Sequence, residues 1–305
     1  MPSDTSPSLV RLHGLNRSDR VQTYAEVHEA VQRVQAALEE RGFRCRPNSA
    51  LGSLFQQARL LNEQWEAQTD DLDILTLMQA DDAVRIAAAV EDVLDDREAR
   101  EAIRRITKSD MHLTTRQPSQ GKDALWELDL LAFLRRRGVP VRLQEPPDLA
   151  ITLSGLLGDY GVACKKVYGE DSVASQLRKG YKQLRTMGSP GVVAFNLDDI
   201  TPERSVLVQP SRQAANNALH RLNIEFMQRH QMEFQDAVMD GKCDGVLLAT
   251  TAHADVADMS PRFNRVTEFT LWTVAEAPPG AHIRVSALRH LVDGTSTPAA
   301  SVDSP

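Results

Sequence analysis

The first third of the chain carries apolar residues at the period of an α-helix. Val27, Val31, Val34 and Leu38 recur at three- and four-residue spacing, which places one apolar stripe on a helix, and Gly42 stands just past it as a stop signal. Leu51, Leu54, Phe55, Ala58, Leu61 and Trp65 predict a second helix over about 49–66. The pair Asp81-Asp82 predicts the start of a third, because carboxylates suit the positive end of the helix dipole, with Val84, Ile86, Val90, Val93 and Leu94 following. A fourth is expected from about Asp96 to Ile106, and the polar stretch across 108–122 reads as a linker.

Beyond the linker the period changes. A helix over about 122–137 is closed by Gly138. Short strand-like runs follow at 139–143, 149–153, 162–167, 192–197, 246–251, 266–274 and 283–288, with helices over about 172–187 and 211–239 between them. The pattern predicts an α/β protein with a mixed central sheet flanked by helices, preceded by an all-helical N-terminal module. The expected boundaries are a helical module over 19–110 and an α/β domain over 120–290. The ends, 1–18 and 291–305, are rich in Ser, Thr and Pro and are expected to be disordered tails.

Composition narrows the class. The 305 residues are 42% hydrophobic and 25% charged, as in soluble globular proteins. No apolar run approaches the roughly 18 residues that span a bilayer, and the first residues lack a basic-then-apolar signal pattern. A cytoplasmic location without membrane contact is the expectation. Cys45, Cys164 and Cys243 form no CxxC pair, so neither a disulfide framework nor a zinc ribbon is indicated. A net charge of -7 excludes a surface that is basic throughout, but not a local basic strip. Arg178, Lys179, Lys182 and Arg185 surround Tyr181 on one helix. They suit phosphate contacts with nucleic acid, or equally the solvated face of a helix that turns Val173, Leu177, Tyr181 and Leu184 to the sheet. The run Arg135–Arg137 is explained as well by the helix dipole as by nucleic acid. The acidic helical half reads as a packing module, or alternatively as a surface for a protein partner. The stripe from Leu219 to Phe234 reads as core or as a homodimer seam. His253 and Asp255 read as a surface loop after a strand.

One constellation suggests chemistry. Glu127 lies on an apolar stripe with Leu131 and Leu134, where a carboxylate needs a metal or a basic partner; Asp129 competes for that role, and either acid could pair with an Arg from elsewhere. Asp148 follows two prolines and opens a strand. In the run 162–167, Ala163 and Lys165 share one face while Val162, Cys164 and Lys166 share the other. Gln183 lies on the next helix.

The ordered series Glu127, Asp148, Lys165, Gln183 resembles the PD-(D/E)XK nuclease superfamily, which includes restriction endonucleases and many DNA-repair nucleases. The resemblance covers roughly Ala124 to Thr251. It implies a restriction-endonuclease-like fold and phosphodiester hydrolysis dependent on Mg²⁺ or Mn²⁺. Asp148, Glu127 and the carbonyl of Cys164 would hold the metal, Lys165 would serve the attacking water or the phosphate, and Gln183 would support the site. The departure is Ala163, where the family usually carries Asp or Glu; it removes one ligand and one charge. Mg²⁺ readily keeps several waters, so the loss need not abolish binding. Asp159, Glu170 and Asp171 are near enough in sequence to substitute. The expectation is a metal-dependent, nuclease-like protein that acts on or binds nucleic acid, with hydrolysis weakened or lost. The alternative is an inactive nuclease-fold scaffold, a pseudoenzyme serving protein interaction or a defence or regulatory assembly.

Overall fold

The computed structural model describes residues 8–12, 24–67, 73–153, 155–188 and 190–293. After residues 8–12 come four α-helices: α1 (Tyr24–Glu40), α2 (Ala50–Glu66), α3 (Ile74–Glu91) and α4 (Arg100–Lys108). α3 starts earlier than its acidic pair predicts. Asp73 caps it by accepting the Thr76 N–H at 3.0 Å, a bond that satisfies one of the otherwise unpaired amides of the first turn. Asp81 and Asp82 therefore sit mid-helix, where cations from the sheet hold them.

The second half contributes α5 (Gln120–Arg136), β2 (Val141–Leu143), β3 (Leu149–Leu153), β4 (Gly158–Lys166), α6 (Val173–Met187), β5 (Gly191–Asn196), β6 (Val206–Gln209), α7 (Arg212–Arg229), α8 (Gln231–Met239), β7 (Gly245–Val256), β8 (Phe263–Thr273) and α9 (Pro279–Asp293). With β1 (Ser8–Leu12) the strands form one mixed sheet in the order β1-β8-β7-β5-β4-β3-β2, and β6 pairs with β7. β4, β5 and β7 run parallel at its centre, while β1–β8, β7–β8, β3–β4 and β2–β3 are antiparallel. The mixed α/β class expected from the sequence is thus present.

Several local expectations give way. The run 283–288 is helical: Ala281, Val285, Leu288 and Val292 are buried at helical spacing in α9, which overrides the local β propensity. The helix expected over 211–239 breaks at His230 into α7 and α8. β6 was not anticipated. β7 runs on to Val256, so His253 lies in a strand paired with β6 and β8 instead of in a surface loop. Residues 8–12, expected within a disordered tail, pair with β8, and 291–293 complete α9. The rest of both expected tails lies outside the described residues.

The helical half and the sheet share one core. Val31, Leu54 and Ile86 belong to the same buried cluster as Leu131, Ile151, Val162 and Ala249. The expected linker is tied down as well. Lys122 is buried, and its Nζ donates to the Thr115 and Gln117 carbonyls and lies 3.3 Å from Asp110. The other face of the sheet packs on α6 and α8 through Ala163, Val193, Phe195, Leu177 and Phe234. Gly180 lets α6 approach closely, since a Cβ there would lie 2.7 Å from Val193 Cγ1.

A buried ion cluster locks α3 to this frame. The Arg85 guanidinium lies 2.7 Å from Asp129 of α5 and 2.9 Å from Asp198 after β5, with its side chain only 12% exposed. Removing the cation leaves two carboxylates sequestered without their partner. Arg85→Leu is expected to destabilise the protein by about 3 kcal/mol or more, read from urea unfolding; a loss under about 1 kcal/mol would contradict this account.

Candidate functional site

β3 and β4 form an antiparallel pair in which Leu149 stands opposite Val162, so Asp148 lies level with Ala163 at the ladder's end. There the Asp148 side chain substitutes for a strand partner. Its Oδ2 accepts the Cys164 N–H at 2.6 Å and the Lys165 ammonium at 3.1 Å. Its Oδ1 accepts the Gln183 amide at 3.3 Å from α6. Lys165 also donates to the Cys164 carbonyl at 2.6 Å, which fixes its head beside Asp148. Three of the roughly four lone-pair sites of the Asp148 carboxylate are thus engaged.

Glu127 approaches from α5, on the other face of the sheet. Arg105 of α4 grips it with two bonds, at 3.2 and 2.8 Å. Burial and then the nearby negative charge of Asp148 push the Glu127 pKa up to about 7, with Arg105 acting in the opposite sense. Burial, followed by Asp148 and Glu127, also holds the Cys164 thiol well above its ordinary value, so its sulfur is neutral at pH 7 and only its carbonyl is a donor of interest. Glu127 and Asp148 line a cleft of about 240 Å³, together with Glu98, Glu101, Glu145 and Arg105.

Of the four residues expected from the sequence, Lys165 and Gln183 converge on the Asp148 carboxylate and Glu127 lies within electrostatic reach of it; Asp148 and Glu127 line the cleft, whereas Lys165 and Gln183 do not. The acids considered as substitutes for residue 163 lie elsewhere: Asp159 pairs with Arg142 at 2.7 Å, Glu170 with Arg229 at 2.6 Å, and neither these nor Asp171 lines the cleft. Position 163 is filled by packing, with Ala163 fully buried in the apolar cluster under α6. Asp129 takes no part, because Arg85 holds it. Lys166 points away and pairs with Asp199 at 3.2 Å. The Arg partner expected for an α5 acid is Arg105 at Glu127, which no local pattern in the sequence identifies. Glu98, Glu101 and Glu145 carry no motif and come together only in three dimensions.

The basic residues divide in two. Arg178, Lys179, Lys182 and Arg185 are exposed on α6, while Val173, Leu177 and Leu184 are buried. The Arg135–Arg137 run is engaged within the protein: Arg135 pairs with Asp96, Arg136 with Asp92, and Arg137 donates to the Val292 carbonyl. No family model matches the chain, and no curated protein and no solved structure is significantly similar to it.

The Glu127 carboxyl gives the site a pH signature. Its pKa rises on folding from an ordinary 4.5 to about 7, so the fold favours the protonated form. That contribution is complete below pH 4.5 and is lost as pH rises through about 7. In chelator-treated protein, Glu127→Gln is expected to remove this downward component from the melting temperature between those limits. Identical pH profiles for the two proteins would refute the assignment.

Proposed function

We propose that the protein is a nuclease-like protein of restriction-endonuclease-like fold that binds nucleic acid and hydrolyses phosphodiesters slowly with Mg²⁺ or Mn²⁺. The carrying observation is the convergence of Lys165 and Gln183 on Asp148, with Glu127 facing the same cleft. The cleft's chemistry suits a hard cation. Its carboxylates face a single Arg, an arrangement that repels phosphate until a dication intervenes, and carboxylate oxygens are the donors Mg²⁺ prefers. Asp148, Glu127 and the Cys164 carbonyl would hold the ion, which would supply an activated water and charge stabilisation on the phosphate.

The chain's own groups do the rest. Lys165 presents a positive charge beside Asp148, suited to a phosphate oxygen whose charge grows during the reaction. Gln183 anchors Asp148 through its amide nitrogen and keeps Oε1 as a buried acceptor without a hydrogen-bond partner among the described residues, suited to orienting a water. The exposed basic face of α6 gives a nucleic-acid backbone sequence-independent contacts, which salt weakens. Ala163 accounts for slow turnover.

Incubation with plasmid, single-stranded DNA and RNA in Mg²⁺ or Mn²⁺ tests the reading. Slow, divalent-dependent cleavage is expected, falling by about 10²–10³-fold in Asp148→Asn and Lys165→Ala, the cost of removing one stabilising group. Cleavage unaffected by both substitutions would refute the site. The second reading, a non-cleaving scaffold, draws on the same network: Asp148 and Glu127 are already held by internal donors, and Ala163 leaves an apolar core where the family has an acid. Salt-sensitive nucleic-acid binding without turnover in wild type would favour it.

A further inference from the structure

A second cluster, remote in sequence from Asp148, joins α3 to β7. The His253 Nε2 lies 3.2 Å from one oxygen of Asp81 and 3.2 Å from one oxygen of Asp82. Neither contact has hydrogen-bond geometry, and one ring N–H cannot point at both oxygens. Asp82 is only 2% exposed, and its other oxygen, Oδ2, is buried with no hydrogen-bond partner among the described residues. Asp82 and His253 both line a cavity of about 70 Å³. A buried carboxylate oxygen left in this state is costly unless something in the cavity satisfies it.

We infer that Asp81, Asp82 and His253 form a zinc site, separate from the cleft at Asp148, that fastens α3 to the sheet. The spacing fits. A tetrahedral Zn²⁺ with arms of about 2.0–2.1 Å holds its ligand atoms about 3.3 Å apart. The observed 3.2 Å contacts are close to that edge length, and all three ligand atoms lie within 4.8 Å of one another. The charges fit too. Two neighbouring carboxylates, Asp81 and Asp82, meet on the His253 ring, and Arg265 pairs with Asp81. A dication bound to both carboxylates and to neutral His253 takes the place of the ring proton, which leaves to solvent. Arg265 donates to Asp81 Oδ2, the oxygen that faces His253, at 3.2 Å and to the Asp81 carbonyl at 3.0 Å, which fixes that carboxylate in place. The cavity provides room for water as the fourth ligand, the usual completion of a three-residue zinc set. In the absence of metal, burial opposes the charge on His253, but Asp82 and Asp81 prevail and hold its pKa up to about 10, so metal uptake must displace a firmly held proton.

The test uses full-length, chelator-treated protein carrying Asp148→Asn, which keeps any metal binding at the first cleft out of the readout. Titration with Co²⁺, the spectroscopic stand-in for Zn²⁺, is expected to give one equivalent of binding with visible bands of a low-coordinate N/O site. Zn²⁺ is expected to compete for that equivalent and to raise the melting temperature. Adding Asp82→Asn or His253→Gln, each checked for folding by circular dichroism, should abolish the Co²⁺ spectrum and the melting shift. Absence of Co²⁺ uptake by the Asp148→Asn protein would overturn the inference whatever the other variants do. So would uptake that survives in both folded variants.

Discussion

The central constraint is that β4, β5 and β7 are parallel and must be covered on both faces. Parallel strands buried in this way read as near-continuous apolar runs, and Gly191–Asn196 is buried at every position. On one face the cover is α6 with α8; on the other it is α5, behind which α1 to α4 are stacked. The helical half is therefore the second wall of the sheet's core. This explains why Trp126 of α5 reaches into the sheet and donates to the Ala194 carbonyl at 3.2 Å, and why Phe133 stacks on Phe269 of β8.

The same layering creates the candidate site. Asp148 stands at the end of the β3–β4 ladder, where it can be reached from both walls: Gln183 arrives from α6, and Glu127 with Arg105 from α5 and α4. A carboxylate in that position can replace missing backbone pairing and still present an oxygen to a cleft. Its role in the architecture and its chemical potential come from the same bonds. Binding experiments that leave the fold intact separate these roles better than stability measurements alone.

The elements with strong periodicity were legible in the sequence: α1, α2, α5, α6 and β5 fall close to the expected spans, while β4 and β7 are longer than expected. The Glu127–Asp148–Lys165–Gln183 grouping was expected only through the family resemblance, since strand alternation set no more than the face that Lys165 shares with Ala163; in the fold Lys165 and Gln183 do meet on Asp148. What was hidden depends on tertiary partners. Asp81 and Asp82 looked like a helix start because sequence cannot show that His253 and Arg265 would come to meet them in mid-helix. The segment 283–288 has strand-like composition, and only its burial against the sheet selects the helix. The departure from the family pattern at Ala163 could not, by itself, reveal that apolar packing fills that position.

The first strand has a consequence for how the chain reaches this state. Ser8 pairs with Thr273 and Leu12 with Phe269, so the sheet is completed by joining segments far apart in sequence. Such a pairing has a high loop-closure cost and belongs to the slow, non-local class of contacts. During synthesis β1 emerges long before β8 exists, and β8, once made, offers an unpaired edge until β1 docks on it. In the finished fold β1 shields that edge from strands of other chains. Deleting the first dozen residues would therefore expose an aggregation-prone border and leave the distant Asp148 cleft chemically unchanged.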